Sequence, residues 1–202
     1  MGRGEVTEAS DPDRFREVVR RTADALDGWG RSYALLGSIA TNVYVDGEPA
    51  DDVDVFVEAD HVEEALGMLV AAGFEAEPVE EGWLRKATRD GVLVDLIVRV
   101  RSGIRFDEDM VSHVRRRSCG GVDVPVLAPE DLVLIAAAST HPETPQHWFV
   151  GARLVAKAGL DWDRLVDRAR RLAPLRVASL LLYCRSEGVA VPEGAVASLL
   201  SN

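Results

Sequence analysis

The sequence predicts an α+β fold, in which a small mixed β-sheet is followed by a helical C-terminal half. Short β-branched runs separated by turn residues are concentrated before residue 128. After Pro129, apolar residues recur at helical spacing instead. Strands at the front and helices at the back favour α+β over a doubly wound sheet, where the two alternate. We therefore divide the chain into a core, residues 1–128, and a helical C-terminal region, residues 129–202.

The composition is that of an ordinary globular protein. The 202 residues are 47% hydrophobic and 28% charged, which argues against disorder. A net charge of -11 disfavours nucleic acid or an anionic membrane as a partner. No apolar run reaches the roughly 18 residues of a membrane helix, and the first ten residues lack the apolar core of a secretory signal. With two scattered cysteines, we expect a cytoplasmic protein with free thiols; its oligomeric state stays open.

The first half is predicted to hold three helices and six strands. The helices show apolar residues three and four apart and span 11–28, 39–44 and 62–73. The strands are short and mostly β-branched, and they span 33–36, 53–57, 74–78, 83–88, 92–100 and 122–127. Asp90-Gly91 and Gly120-Gly121 predict two tight hairpin turns. The basic stretch Arg115–Arg117 is interpreted as a solvated loop.

The second half is predicted to form four helices. The first runs from Pro129 to about Ala138, with carboxylates in its first turn, where the helix dipole favours them. Residues 140–146 contain two prolines and are predicted to form a loop. The remaining predicted helices span 148–158, 162–172 and 175–187, and Gly159 and Pro174 separate them.

Three aspartates in predicted strands point to chemistry. Asp52 and Asp54 are two apart, so both side chains leave the same face of the strand. Two carboxylates aimed together repel, and a divalent cation is the usual way to hold them. Asp95 lies between Val94 and Leu96, where an unpaired charge would be costly. The three together predict a site for two magnesium (or manganese) ions of the kind that assists phosphoryl displacement.

Other residues are candidates for binding phosphate groups. Gly37-Ser38 follows a predicted strand and begins a predicted helix, so backbone N–H groups and the serine hydroxyl can face phosphate oxygens. Lys86 neighbours the predicted sheet, and Arg99 follows the strand that carries Asp95. For these two, solvation at a strand edge is the alternative role.

The spacing of these residues resembles one superfamily. A Gly-Ser pair, a gap of 13 residues and Asp-apolar-Asp-apolar resemble the DNA polymerase β-like nucleotidyltransferases. The resemblance implies that Asp52, Asp54 and Asp95 are the catalytic metal ligands and that Gly37 and Ser38 bind the phosphates of a nucleoside triphosphate. It also implies transfer of a nucleoside monophosphate to a hydroxyl or similar group of an acceptor, with release of pyrophosphate. The acceptor could be a small molecule, an antibiotic or a peptide.

Further stretches resemble the minimal, uncharacterised bacterial members, which include abortive-infection toxins and antibiotic-modifying enzymes. These stretches are residues 57–74, 128–132 and 160–165. Two features depart from the pattern: residues 39–51 contain no lysine or arginine, and Leu134–Ala137 stands where many toxin-like relatives have a lysine. Two alternatives therefore stay open, a toxin-like enzyme that modifies transfer RNA and a non-catalytic binding or antitoxin module. The negative charge disfavours the first of them.

Overall fold

The computed structural model describes residues 11–47, 49–79 and 82–201. The helices are α1 (Pro12–Asp27), α2 (Gly37–Tyr44), α3 (Val62–Ala71), α4 (Glu108–His113), α5 (Pro129–Ser139), α6 (Gln146–Lys157), α7 (Trp162–Leu172), α8 (Pro174–Ser186) and α9 (Glu193–Leu200). A 3-10 turn, Ala59–His61, precedes α3. The strands are β1 (Tyr33–Leu35), β2 (Asp52–Val57), β3 (Glu75–Glu77), β4 (Leu84–Arg89), β5 (Val92–Ile97), β6 (Arg115–Cys119) and β7 (Val122–Val126). Within these residues, no helix is long and apolar enough to cross a membrane.

The strands form one mixed sheet in the order β3-β4-β5-β2-β1-β7-β6. β2 runs parallel to β5 and β1 runs parallel to β7, whereas the remaining neighbours are antiparallel. All seven strands precede α5, and helices α5 to α9 follow them. This order confirms the predicted α+β class. The division at residue 128 stays a prediction about separate folding units, and a single cluster of buried apolar side chains extends through both parts.

Local sequence signals explain several elements. Asp11 caps α1 by accepting a hydrogen bond from the backbone N–H of Asp13 at 3.0 Å, as its place before Pro12 predicts. Asp90 and Gly91 both have positive φ angles, 52° and 74°, which a two-residue turn between β4 and β5 requires. The helix and the hairpin are therefore confirmed where the sequence places them.

The interpretation of Arg115–Arg117 as a loop was wrong. These residues are the first part of β6, and Arg116 pairs with Pro125 of β7. β6 is an edge strand whose charged side chains are exposed, so it lacks the apolar alternation by which strands are recognised. Helices α4 and α9 were also not predicted, because each is short.

A buried network of charges ties α7 to the rest of the protein. Arg164 contacts Asp131 at 2.6 Å and Asp109 at 2.7 Å, and Arg168 contacts Asp107 at 2.7 Å. The side chain of Asp131 is fully buried, and that of Arg168 is 4% exposed. Because a buried charge is costly without an opposite charge, these pairs fix the position of α7 against α4 and α5.

Candidate active site

The sheet lines up four charged residues on one face. Asp54 of β2 is opposite Asp95 of β5, Asp95 is opposite Lys86 of β4, and Lys86 is opposite Glu77 of β3. Directly paired residues on neighbouring strands project to the same face, and such strands lie roughly 4.8 Å apart. Asp52 precedes Asp54 by two residues on β2 and so shares this face. We call these five residues the carboxylate row.

Gly37 approaches the row from the end of β1. It begins α2 with a φ of +64°, and a Cβ there would overlap Oδ2 of Asp54 and lie 3.0 Å from its Cγ. The backbone N–H of Leu36 also donates to the carbonyl of Asp54 at 3.1 Å. Only glycine satisfies both the dihedral angle and the available space. Ser38, the second residue of α2, is exposed beside it.

The aspartates of the row are less acidic than usual. Burial, followed by the charges of Asp52 and Asp95, raises the pKa of Asp54 to about 7, although Lys86 opposes the shift. Burial and the charges of Asp51 and Asp95 raise the pKa of Asp52. Burial also raises the pKa of Asp95, against a hydrogen bond from Lys86. The protein thus holds carboxylates together at a free-energy cost that a bound cation would offset.

Lys86 provides the positive charge within the row. Its Nζ lies 3.1 Å from Oδ1 of Asp95 and donates a hydrogen bond to Oδ2 at 3.3 Å. Among the described residues, no three His, Cys, Asp or Glu side chains are already arranged as a metal-binding group. The ion pair accounts for part of this, since the ammonium group occupies one side of Asp95. The other predicted phosphate contact, Arg99, lies beyond β5 in an isolated bridge with Arg105 and belongs to no ion pair that the structure describes.

The donor set nevertheless suits a hard divalent cation. Mg²⁺ prefers oxygen ligands, and the three carboxylates supply them. Oδ1 of Asp95 lies 3.1 Å from Nζ of Lys86, so a cation bound there would have to replace this ammonium group. The free energy spent on holding the three carboxylates together, which their raised pKa values reflect, is what a bound cation would recover. The residues present therefore fit a divalent ion.

One basic residue near the site was not predicted. Arg153 of α6 reaches the loop after α2, where its Nη2 lies 3.7 Å from the position of a Cβ on Gly47. Its Nε is buried and has no hydrogen-bond partner within the described part of the chain. Arg153 thus brings positive charge to a segment in which residues 39–51 supply none. No local pattern could have shown this, since more than a hundred residues separate the two in sequence.

A largely apolar cavity of about 500 Å³ adjoins the start of β2. Asp51 and Ala50 line it from the loop before Asp52, Ile39 and Asn42 line it from α2, and Phe15 lines it from α1. This volume is within the range of small-molecule sites in proteins. Because Asp51 lines the cavity and directly precedes Asp52, the cavity adjoins the candidate active site.

The fold is similar to nucleotidyltransferase folds. The family model described as "Uncharacterised nucleotidyltransferase" matches residues 44–187, which is more than half of the chain. The protein therefore belongs to this family. The match begins after Gly37 and Ser38 but includes all three aspartates. No curated protein sequence is recognisably similar to this one.

Solved structures show the same fold at low sequence identity. An antigenic nucleotidyltransferase-like protein from Paracoccidioides brasiliensis is 17% identical, with 93% of each chain covered and a TM-score of 0.55. The antibiotic-resistance factor ANT(2'')-Ia in solution is 15% identical, with 87% of this chain and 94% of that chain covered and a TM-score of 0.51. Its crystal structure with adenylyl-2''-tobramycin is 14% identical, with 85% and 97% covered and a TM-score of 0.50.

Proposed function

We propose that this protein is a metal-dependent nucleotidyltransferase that moves a nucleoside monophosphate from a nucleoside triphosphate to a small-molecule acceptor. The acceptor oxygen forms a bond to the α-phosphorus, the bond to the β-phosphate oxygen breaks, pyrophosphate leaves, and the acceptor hydroxyl loses its proton. The observation that carries the proposal is the register of Asp54 with Asp95 under Gly37. We expect the protein to act in the cytoplasm.

In this proposal, Asp52, Asp54 and Asp95 hold two Mg²⁺ ions, or two Mn²⁺ ions in their place. When bound, these ions neutralise phosphate charge and polarise the α-phosphate. Gly37 leaves the backbone open to phosphate oxygens, and Ser38 with the first N–H groups of α2 donates hydrogen bonds to them. In this proposal, Asp95 accepts the proton that the acceptor hydroxyl loses.

Lys86 has a double role in this proposal. In the metal-free protein its ammonium group compensates Asp95 at 3.1 Å. When an ion takes that place, Lys86 is free to turn towards the triphosphate, for which it is one of the few cations near the row. Arg153 offers a second cation at the acidic loop, and Arg99 a third from beyond β5. We propose Lys86 and Arg99 as nucleotide-binding residues on this basis.

A small molecule with a positive charge fits the site best as acceptor. The protein has a net charge of -11, and Asp51 lines the apolar cavity of about 500 Å³ beside β2. ANT(2'')-Ia, which shares the fold, was solved with an adenylylated small molecule. A cavity with apolar walls and a carboxylate selects a ligand with an apolar body and a cationic group. The same charge opposes transfer RNA as the acceptor.

A transfer assay tests this function. Each of the four nucleoside triphosphates, labelled at the α-phosphate, is incubated with Mg²⁺ and with pooled cationic small molecules, peptides or transfer RNA. We expect label on a small molecule, release of pyrophosphate, and loss of both with EDTA or with Asp95→Asn. Asp60→Asn, which removes an exposed carboxylate from the turn before α3, is the matched control for chemistry. Label found only on transfer RNA would establish the toxin-like alternative, and nucleotide binding without any transfer would establish a non-catalytic module.

A further inference from the structure

A second pocket lies apart from the carboxylate row, at the start of β6. It has a volume of about 410 Å³. Tyr44 at the end of α2 lines it, together with Arg115 and Arg117 of β6, Glu130 of α5 and Arg164 of α7. Its volume is within the range of small-molecule sites. None of the residues assigned to the carboxylate row lines this pocket.

Two arginines of the pocket have no acidic partner within the part of the chain that the structure describes. Arg115 and Arg117 are two apart on β6 and so share a face, whereas Arg116 between them projects to the other face. Arg116 pairs with Asp27 at 3.0 Å and with Asp123 at 2.7 Å. Among the described residues, Arg115 and Arg117 donate only to nearby backbone carbonyls. In a protein with 34 acidic and 23 basic residues, two adjacent unpaired arginines in a concave site indicate an anionic ligand.

The carboxylates of the pocket are already engaged. Glu130 accepts hydrogen bonds from the backbone N–H of Asp161 at 2.8 Å and from Arg164 at 3.2 Å. Asp161 in turn accepts from the backbone N–H of Arg164 at 3.0 Å and caps α7. The side chain of Arg164 is 9% exposed, and its Nε has no hydrogen-bond partner in the described part of the chain. The acids that line the pocket are therefore engaged within the protein and do not compensate Arg115 and Arg117.

The remaining walls of the pocket are the start of α5 and the ring of Tyr44. The pocket includes Pro129, the first residue of α5, and the N-cap residue Ala128 makes no side-chain cap. Glu130 and Asp131 lie in the first turn and offset the positive end of the helix dipole, so the arginines supply the positive charge of the pocket. The ring of Tyr44 forms a side wall, because its hydroxyl donates to the carbonyl of Leu127 at 3.0 Å. Arg117 and Arg115 are close enough to Tyr44 for their charges to oppose the rise in its pKa that burial causes.

We propose that this pocket binds a phosphate-bearing small molecule, independently of divalent metal. Guanidinium groups bind phosphate through two parallel N–H donors, and Arg115 and Arg117 present two such groups from one face of β6. A small ligand is favoured over RNA because Glu130 and Asp161 border the pocket, and a long polyanion would meet the acidic surface around it. The site is distinct from the one that the proposed transferase reaction uses.

Calorimetric titration with inorganic pyrophosphate in EDTA tests this inference. The parent protein, Arg115→Gln/Arg117→Gln and Arg116→Gln are compared, after circular dichroism confirms that each is folded. Arg116→Gln removes one arginine charge from the opposite face of the same strand and is the control, so the single variants Arg115→Gln and Arg117→Gln are measured beside it. EDTA removes the divalent ions that binding of pyrophosphate at the carboxylate row would need.

We expect the parent protein to bind pyrophosphate, and the double variant to bind at least about tenfold more weakly. Arg116→Gln should stay within about twofold of the parent. Tighter binding of AMP than of inorganic phosphate would assign the ligand to a nucleotide, and equal binding would assign it to the phosphate group alone; both support the site. The inference is overturned if the parent shows no binding, if Arg116→Gln weakens binding as much as Arg115→Gln or Arg117→Gln does, or if only a single-stranded RNA binds.

Discussion

Replacing Asp54 with asparagine is expected to stabilise the metal-free protein. The pKa of Asp54 is raised from 3.8 to about 7 by burial and by its neighbouring carboxylates. At a pH above the pKa that Asp54 has in the unfolded chain, folding must therefore either add a proton to this carboxyl group or bury its negative charge beside other carboxylates. Each of these costs free energy. The full difference corresponds to about 4 kcal/mol at neutral pH. Because the carboxylate is partly exposed to solvent, we expect a gain of about 2 kcal/mol.

The pH dependence has a defined sign. A carboxyl group with a raised pKa gives the folded state more bound protons, so its unfavourable contribution grows as the pH rises from about 4 to about 7. The advantage of Asp54→Asn should be about 1 kcal/mol near pH 5.5 and about 2 kcal/mol near pH 8. Urea unfolding in EDTA measures both, and Asp60→Asn, which removes an exposed carboxylate outside the row, should show no such increase. Equal stability of variant and parent near pH 8 would refute the reasoning.

Two further substitutions follow from the structure. Gly37→Ala places a Cβ against Asp54 at a backbone φ of +64°. We therefore expect urea unfolding to show a loss of about 1–3 kcal/mol of stability, and calorimetry to show a loss of nucleotide binding. A variant with unchanged stability and binding would contradict the close approach of Gly37 to Asp54. Arg168→Leu removes a cation beside the buried Asp131, so we expect a loss of about 3–5 kcal/mol. Arg171→Leu, which breaks only an exposed pair, should cost less than about 1 kcal/mol, and similar losses for both would contradict the role of burial.

The sequence predicts the carboxylate row only in part. The two-residue period of a strand places Asp52 and Asp54 on one face, and the turn chemistry of Asp90-Gly91 places β4 beside β5. The sequence does not show in the same way that β2 lies beside β5, because the parallel pairing of Asp54 with Asp95 depends on the order of the strands in the sheet. The resemblance to nucleotidyltransferases, rather than any local pattern, indicated it.

One contact of the row follows from the predicted turn: two turn residues at Asp90-Gly91 fix the register of β4 on β5 and so place Lys86 opposite Asp95. Other contacts lie beyond sequence reasoning for a physical reason. Arg153 reaches Gly47 only because α6 packs near α2, and no local sequence pattern around either residue indicates that packing. The exposed edge strand β6 has no apolar alternation, so the pocket that Arg115 and Arg117 line could not be foreseen.

Metal-dependent nucleotide binding tests the central claim, that the carboxylate row is a nucleotidyltransferase site, most directly. Each of the four nucleoside triphosphates is titrated calorimetrically in Mg²⁺ and in EDTA, against the parent protein, Asp54→Asn and Asp60→Asn. We predict that the parent binds at least one triphosphate more tightly in Mg²⁺ than in EDTA, that Asp54→Asn removes this enhancement by at least about tenfold, and that Asp60→Asn keeps it. Enhancement by Mg²⁺ that is equally strong in Asp54→Asn, or no enhancement in the parent, would contradict the account.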